Sequence, residues 1–445
     1  MKFILYSHFT EDVIQDHLGE PESGYYFVLR AFRPVLAELG SVEIVRRPET
    51  EVDPIFEECR TRGEPCLFLP FASPGKIPLD LECPTVPVVA WGLSTFPGAA
   101  PDEDCNIWRL ALKETGAAIA LSRFSARVIA EAMGPDFRIG AVPPPIPARM
   151  DDSSPMEMES GGAILDTAAM NLDVNVLAPA ARPGKGDSGA IERPSLSPGR
   201  DAHSSEPPAL TSAGGVVYTA VLNPNDGNKN PSDLVTAFCW AFREIADATL
   251  VLKVGNYGFQ AFSSRLIPIL YQLSPFKCRV LVKPGFLPDF EYEKLIQATT
   301  YYVNASNSEG LCLPLMEFMS CGKPAIAPAH TAMSDYIDND VAFVLRASRQ
   351  ITSWPDDPHG LFRAMSFRLE WESLRDAYRQ SYQLAKGNPG GYREMSKRAR
   401  ERMQGYASPA LVTEQLRSFF SANAALTAES HDGRHSTSEG LAGRG

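Results

Sequence analysis

Long apolar runs are missing from this 445-residue chain. No stretch approaches the ~18 uninterrupted apolar residues that a bilayer crossing needs, so none is expected to span one. Positive charge is in deficit: 42 Lys and Arg against 54 Asp and Glu leave a formal net charge of −12. That excludes a general nucleic-acid binder, whose surface must neutralise phosphates, although a local basic patch remains compatible. Histidine is scarce, and none stands at zinc-ligand spacing from the eight cysteines, which form no C-x-x-C pair. Most cysteines lie in apolar runs, such as Cys66 in CLFLPF, the setting of a reduced core thiol. The opening MKFILYSHFTEDV breaks its short apolar run at His8 and turns acidic, unlike a secretory signal. These features predict a reduced, cytoplasmic protein.

What the chain does have is alternation. Strand patterns at 3–7, 42–45, 66–71, 86–91 and 117–121 are separated by segments that include amphipathic stretches at 25–39 and 124–133. From Pro143 to about Gly215 the composition shifts to Pro, Gly, Ser and Ala, with no sustained period, which reads as a long disordered insertion or linker. Alternation then resumes with strands at 216–222, 249–255, 279–283, 301–305 and 325–328, and helices at 232–245, 259–273, 289–297 and 314–321. Helices follow at 374–386, 392–406 and 409–425, ahead of a polar tail. Two doubly wound α/β domains are expected, since strand–helix alternation builds parallel sheets covered on both faces. The boundaries read as 1–148, an insertion at 149–214, a second domain at 215–370, helices at 371–425 and a disordered tail at 426–445.

The stretch that carries chemistry is YYVNASNSEGLCLPLMEFMSCGKPAIAP, residues 301–328. A strand runs out through Asn304 and Ser306, Glu309 and Gly310 turn, and Pro314 suits a first helical position. Backbone N–H groups of Gly310, Leu311 and Cys312 then face outward beside a positive helix end, an anion site to which Gly310 allows close approach. Glu309, on the loop, is placed for sugar hydroxyls. Glu317, expected in the first helical turn, is better suited to ribose hydroxyls than to phosphates. Gly322 fits the helix C-terminus.

E-G-L-C-L-P-L-M-E followed by M-S-C-G-K-P resembles the signature of retaining glycosyltransferases with the GT-B fold, two Rossmann-like domains facing across a cleft. It is similar to their large bacterial branch that builds surface polysaccharides. The resemblance extends over nearly all of 215–425 and more weakly over 1–145. It implies hexosyl transfer from a nucleotide sugar, UDP- or GDP-linked, to a glycan or lipid-linked acceptor. No metal or resident cofactor is then expected, and peripheral contact with the inner membrane is compatible with the family.

The same resemblance bears on single residues. Lys229, ahead of a helix in NPNDGNKNPSD, matches the family's phosphate-binding lysine, while Asn223 stands where an arginine is usual. Lys253, ending a strand, is the candidate second cation. Leu287, in Gly285-Phe286-Leu287, matches a loop that holds the nucleobase through backbone groups, and Asp289 reads as an N-cap. Gly24 lies in a glycine-rich turn that approaches donor or acceptor. The final helix resembles one that braces the first domain. The family's N-terminal histidine has no counterpart between Trp91 and Phe96, and His17 is not assigned. Loss of that histidine and the arginine raises the alternative of a degenerate protein that binds a sugar nucleotide, or scaffolds an assembly complex, without turnover.

Overall fold

A computed structural model describes residues 1–96, 103–147, 172–173, 215–353 and 363–423. The first sheet holds β1 (Lys2–Ser7), β2 (Ser41–Ile44), β3 (Cys66–Phe71), β4 (Val88–Val89), β5 (Ala117–Ala120) and β6 (Arg138–Ala141), all parallel. Its order is β2-β1-β3-β4-β5-β6. Between the strands run α1 (Ile14–His17), α2 (Ser23–Leu39), α3 (Pro48–Thr61), α4 (Glu103–Thr115) and α5 (Arg123–Met133). Helix α3 was not legible in sequence because Pro48 and Pro54 interrupt its pattern. Pro48 sits in the first turn, where its missing N–H breaks no bond. The strand expected at 86–91 is only two residues long, since Pro84 and Pro87 cannot donate to a ladder.

The second sheet has the order β13-β12-β11-β8-β9-β10-β7. Its strands are β7 (Leu172–Asp173), β8 (Val216–Leu222), β9 (Ala248–Val254), β10 (Arg279–Pro284), β11 (Tyr301–Val303), β12 (Ala325–Pro328) and β13 (Ala342–Leu345). All are parallel except β7, which pairs antiparallel with β10. The expected disordered insertion thus contributes one short edge strand; its other residues, like the tail at 426–445, lie outside the described residues. Helices α6 (Pro231–Ala241), α7 (Phe259–Leu273), α8 (Asp289–Ala298) and α9 (Leu313–Ser320) connect this sheet. A hairpin of β14 (Ala347–Ser353) and β15 (Arg363–Leu369), unforeseen in sequence, precedes α10 (Trp371–Gly387), α11 (Pro389–Ala407) and α12 (Pro409–Ala422).

Burial explains the apolar strands. Every residue of β3 and β9 is buried, as expected for parallel strands covered on both faces. Beneath β8, Tyr218 packs its ring against Phe238, Phe242, Tyr301 and Tyr378. Each such ring contributes roughly 1.5–3 kcal/mol by leaving water. Seven described cysteines are buried, in keeping with their expected place in the core. Among the described residues no helix is long and apolar enough to cross a membrane.

Strand order sets the site. In the second sheet the chain winds one way from β8 through β10, then returns to the other side of β8 with β11 to β13. The reversal opens a crevice at the carboxyl ends of β8 and β11, where ligands of such sheets bind. The loops carrying Lys229 and Glu309 leave those two ends. In the first sheet the reversal lies between β1 and β3.

The two halves pack with these ends facing. The Leu18 carbonyl accepts the Tyr257 N–H at 3.1 Å, and the Arg123 N–H donates to Asp335 at 2.7 Å. Helix α12 returns to the first domain. Thr413 donates to Glu38 at 3.2 Å, and the Phe3 and Phe420 rings lie 5.2 Å apart.

Candidate active site

A cavity of about 460 Å³ lies between the two sheet ends. Its wall includes all nine residues singled out from the sequence: Gly24, Lys229, Lys253, Leu287, Glu309, Gly310, Leu311, Cys312 and Glu317. Residues from three strand-end loops, strand β9, helix α9 and the opposite domain therefore converge.

Helix α9 begins one residue earlier than expected, with Pro314 in its first turn and Cys312 at its N-cap in a left-handed conformation, φ 67°. That reversal turns the chain so that the amides of Gly310, Leu311 and Cys312 precede the helix. None of the three donates a hydrogen bond within the described residues. Three unpaired N–H groups beside a helix N-terminus form an anion cradle. Glu317 lies just beyond the first turn rather than within it, and its Oε2 accepts the Tyr292 hydroxyl at 2.9 Å. Gly322 ends the helix as expected, at φ 73° with its N–H on the Met319 carbonyl.

Glu309 is buried, with only 8% of its side chain exposed. Its Oε1 accepts from Lys229 Nζ at 2.5 Å, Ser306 Oγ at 2.7 Å and Asn304 Nδ2 at 3.1 Å. Burial alone would raise its pKa, but the Lys229 charge and these donors outweigh it and hold the carboxyl below the usual range. For Lys229 burial pulls downward, and the facing Glu309 carboxylate carries the ammonium above its ordinary value. Both directions describe one thing, a desolvated ion pair. The Glu309 N–H is held by Thr331 Oγ1 at 3.0 Å. Thr331 in turn meets His330, whose ring stacks on Phe367 and whose pKa burial drops to about 4.

Of the two lysines in the cavity wall, Lys253 has no carboxylate partner. Its Nζ bonds to the carbonyls of Gly285 and Val254, and burial, then Lys283 on the neighbouring strand, lower its pKa to about 7. Leu287 follows Gly285, which adopts φ 85°, and Leu287 and Phe286 both face the cavity. Asp289 corrects its expectation. The N-cap of α8 is Pro288, and Asp289 reaches Arg30 of the opposite domain at 3.0 Å instead, because a carboxylate at the cleft rim finds a guanidinium there. A Cβ on Gly24 would meet nothing within 4 Å, so it borders open cavity. His17 binds Glu20 and stacks on Phe9, off the cavity wall.

The opposite domain closes on the cradle. Ser122 Oγ donates to the Gly310 carbonyl at 3.3 Å. A Cβ on Gly92 would stand 3.0 Å from backbone atoms of Glu309 and Gly310, and one on Gly310 2.9 Å from the Trp91 nitrogen. Sequence reasoning missed Tyr292, Thr331, Ser122 and Gly92, which carry no local signal. Asn304 and Ser306 stood inside the quoted stretch, where their nearness to Glu309 was the available clue. Among the described residues no cluster of His, Cys, Asp and Glu suits a metal ion.

Comparison with known proteins places this geometry. The family of glycosyl transferases group 1 matches residues 281–357, a span that contains the cradle, Glu309 and Glu317. No curated protein sequence matches the chain. Among solved structures, the sucrose-phosphate synthase of Thermosynechococcus elongatus superposes with a TM-score of 0.53 at 16% identity, covering 96% of this chain and 99% of that one. HepE of Anabaena, solved with UDP and glucose, has a TM-score of 0.53 at 13% identity over 95% of this chain and 100% of its own. TarM of S. aureus, solved with Fondaparinux, alpha-GlcNAc-glycerol and UDP, has a TM-score of 0.50 at 10% identity. The match to TarM covers 80% of this chain but only 55% of TarM.

The fold is GT-B. In GT-B terms the first sheet and its helices form the N-terminal domain, the second sheet the C-terminal one, and the cavity is the cleft between them.

Proposed function

We propose that the chain is a glycosyltransferase that moves a hexose from a UDP- or GDP-linked sugar to a glycan or lipid-linked acceptor, retaining the anomeric configuration. The observation that carries this reading is the anion cradle of Gly310, Leu311 and Cys312 opening beside the Lys229–Glu309 pair at the sheet reversal. A diphosphate seated there takes the three amides, Lys229 and Lys253, all aimed at the charge that develops on the leaving group. Glu309 receives a hydroxyl of the transferred sugar. Glu317, steadied by Tyr292, receives the ribose hydroxyls, and the backbone at Leu287 lies against the base. As the diphosphate leaves, the anomeric carbon gains oxocarbenium character, and the acceptor hydroxyl attacks from the same face. No metal ion is needed in this scheme, because lysines and amides supply the positive charge. The site is cytoplasmic in this reading, with peripheral membrane contact where the acceptor is lipid-linked.

The test is a thermal-shift and hydrolysis screen against UDP-, GDP-, ADP- and TDP-sugars. One of them should stabilise the fold and slowly release its nucleoside diphosphate. Glu317→Ala should weaken that binding about tenfold, roughly 1.4 kcal/mol. No response to any nucleotide sugar would remove the reading. Stabilisation without turnover, even with acceptors, would favour the degenerate binder, which Asn223 and the absence of a cleft histidine between Trp91 and Phe96 support.

Lys253 adds a pH signature. An anion needs its protonated form, which the buried amine holds below pH 7 and loses above it. Affinity for the nucleotide sugar, whose diphosphate does not titrate nearby, should therefore be full below pH 7. Above pH 7 it should fall by about tenfold per pH unit until the pKa of the bound state is reached. Lys253→Met should flatten that profile; an unchanged slope would show that Lys253 does not meet the phosphate.

A further inference from the structure

The wall that the N-terminal domain contributes has a charge pattern the donor does not use. Its charged members are Glu20, Glu22 and Arg30. Arg30 is engaged across the cleft, its Nη2 3.0 Å from Asp289 Oδ1 and its Nη1 3.4 Å from Oδ2. Lys229 and Lys253 belong to the other domain. Among the described residues, this wall therefore offers carboxylates and no uncommitted cation.

Glu22 stands where the topology places a ligand. The first sheet reverses between β1 and β3, and a crevice at the carboxyl ends of such a pair is a binding position. Glu22 closes the loop that leaves β1, and its Oε2 accepts the N–H of Ser73, in the loop that leaves β3, at 2.8 Å. Glu22 Oε1 accepts nothing within the described residues, whereas Glu20 is held by His17 at 2.8 Å. The positive end of α2 starts at the next residue, Ser23, and the Glu22 carboxylate beside it offsets that partial charge.

We propose that the acceptor meeting this wall is an uncharged polyhydroxylic one (the end of a neutral glycan), and that Glu22 accepts a hydrogen bond from one of its hydroxyls. The inference rests on the donor reading above. A phosphorylated acceptor would bring its charge against Glu20 and Glu22 in a narrow cleft, with no cation to offset it. A sugar hydroxyl gains a charge-assisted bond from the same carboxylate. No bond of Glu22 itself changes in the reaction, so it binds and orients the acceptor.

The experiment offers the full-length protein, with the nucleotide sugar from the screen, equal concentrations of two acceptor sets. One set is neutral alkyl glycosides and hexose trisaccharides; the other is sugar 6-phosphates, glycerol phosphate and undecaprenyl phosphate in detergent. Transfer should go to a neutral acceptor at least tenfold faster. Glu22→Gln should lower the ratio of transfer to donor hydrolysis about tenfold through acceptor KM, and Glu22→Lys should shift preference toward the phosphorylated set. Faster wild-type transfer to a phosphorylated acceptor, or hydrolysis with no transfer to any neutral one, overturns this proposal alone. Absence of nucleotide-sugar consumption overturns the donor reading and this inference with it. The wild-type competition decides even if a variant fails to fold.

Discussion

Glu309→Gln is expected to lower turnover by 100-fold or more, on the order of 3 kcal/mol of transition-state stabilisation, while leaving a folded protein. Glutamine keeps the shape and can still accept from Ser306 and Asn304, but it removes the charge that faces Lys229. Glu309→Ala should be worse for the fold. It leaves the Lys229 ammonium, 19% exposed, without its partner, and breaking a desolvated pair costs about 3–5 kcal/mol. Replacing both partners with apolar residues, Lys229→Met with Glu309→Leu, should restore much of the melting temperature and none of the activity. That contrast separates a stabilising ion pair from a reacting site. Wild-type kcat in Glu309→Gln would sink the assignment of this residue to the reaction.

Gly92→Ala should lower turnover several-fold without removing any group that binds the donor. The added methyl would lie 3.0 Å from the Glu309 carbonyl carbon and the Gly310 nitrogen, both backbone atoms that cannot step aside. The two backbones would have to separate by a few tenths of an ångström, loosening the Ser122 bond to the Gly310 carbonyl. Since displacement of about 1 Å can cost 100-fold in rate, a shift of a few tenths of that should lower kcat/KM several-fold. Unfolding of each domain should change little, because Gly92 and Gly310 meet at their shared surface. Gly310→Ala should behave alike, with its methyl 2.9 Å from the Trp91 nitrogen. Wild-type activity in both would mean that this contact is not part of the working conformation.

The amino-acid sequence by itself determined the elements whose signals are local. Apolar runs marked five strands of each sheet, whereas β6, β7 and β13 were not legible. Pro314 and Gly322 marked the two ends of α9 through a missing donor and a left-handed φ. Ahead of them the run Glu309, Gly310, Leu311, Cys312 set a turn whose amides precede α9, because a few consecutive dihedrals are enough to aim them. Local signals failed where a competing residue hid them, as prolines did in α3 and β4 and as polar residues did in β14.

Only the tertiary structure decided partnership. Lys229 and Glu309 are 80 positions apart, and nothing near either names the other. They meet because β11 returns beside β8, so that two strand-end loops share one crevice. Asp289 looked like a helix cap until Arg30, 259 residues away, came across the cleft. Glu22 meets the Ser73 loop, 51 residues away, because β3 lies beside β1. Backbone conformation is set by neighbours in sequence, whereas a buried charge takes whichever partner the strand order brings within hydrogen-bond reach.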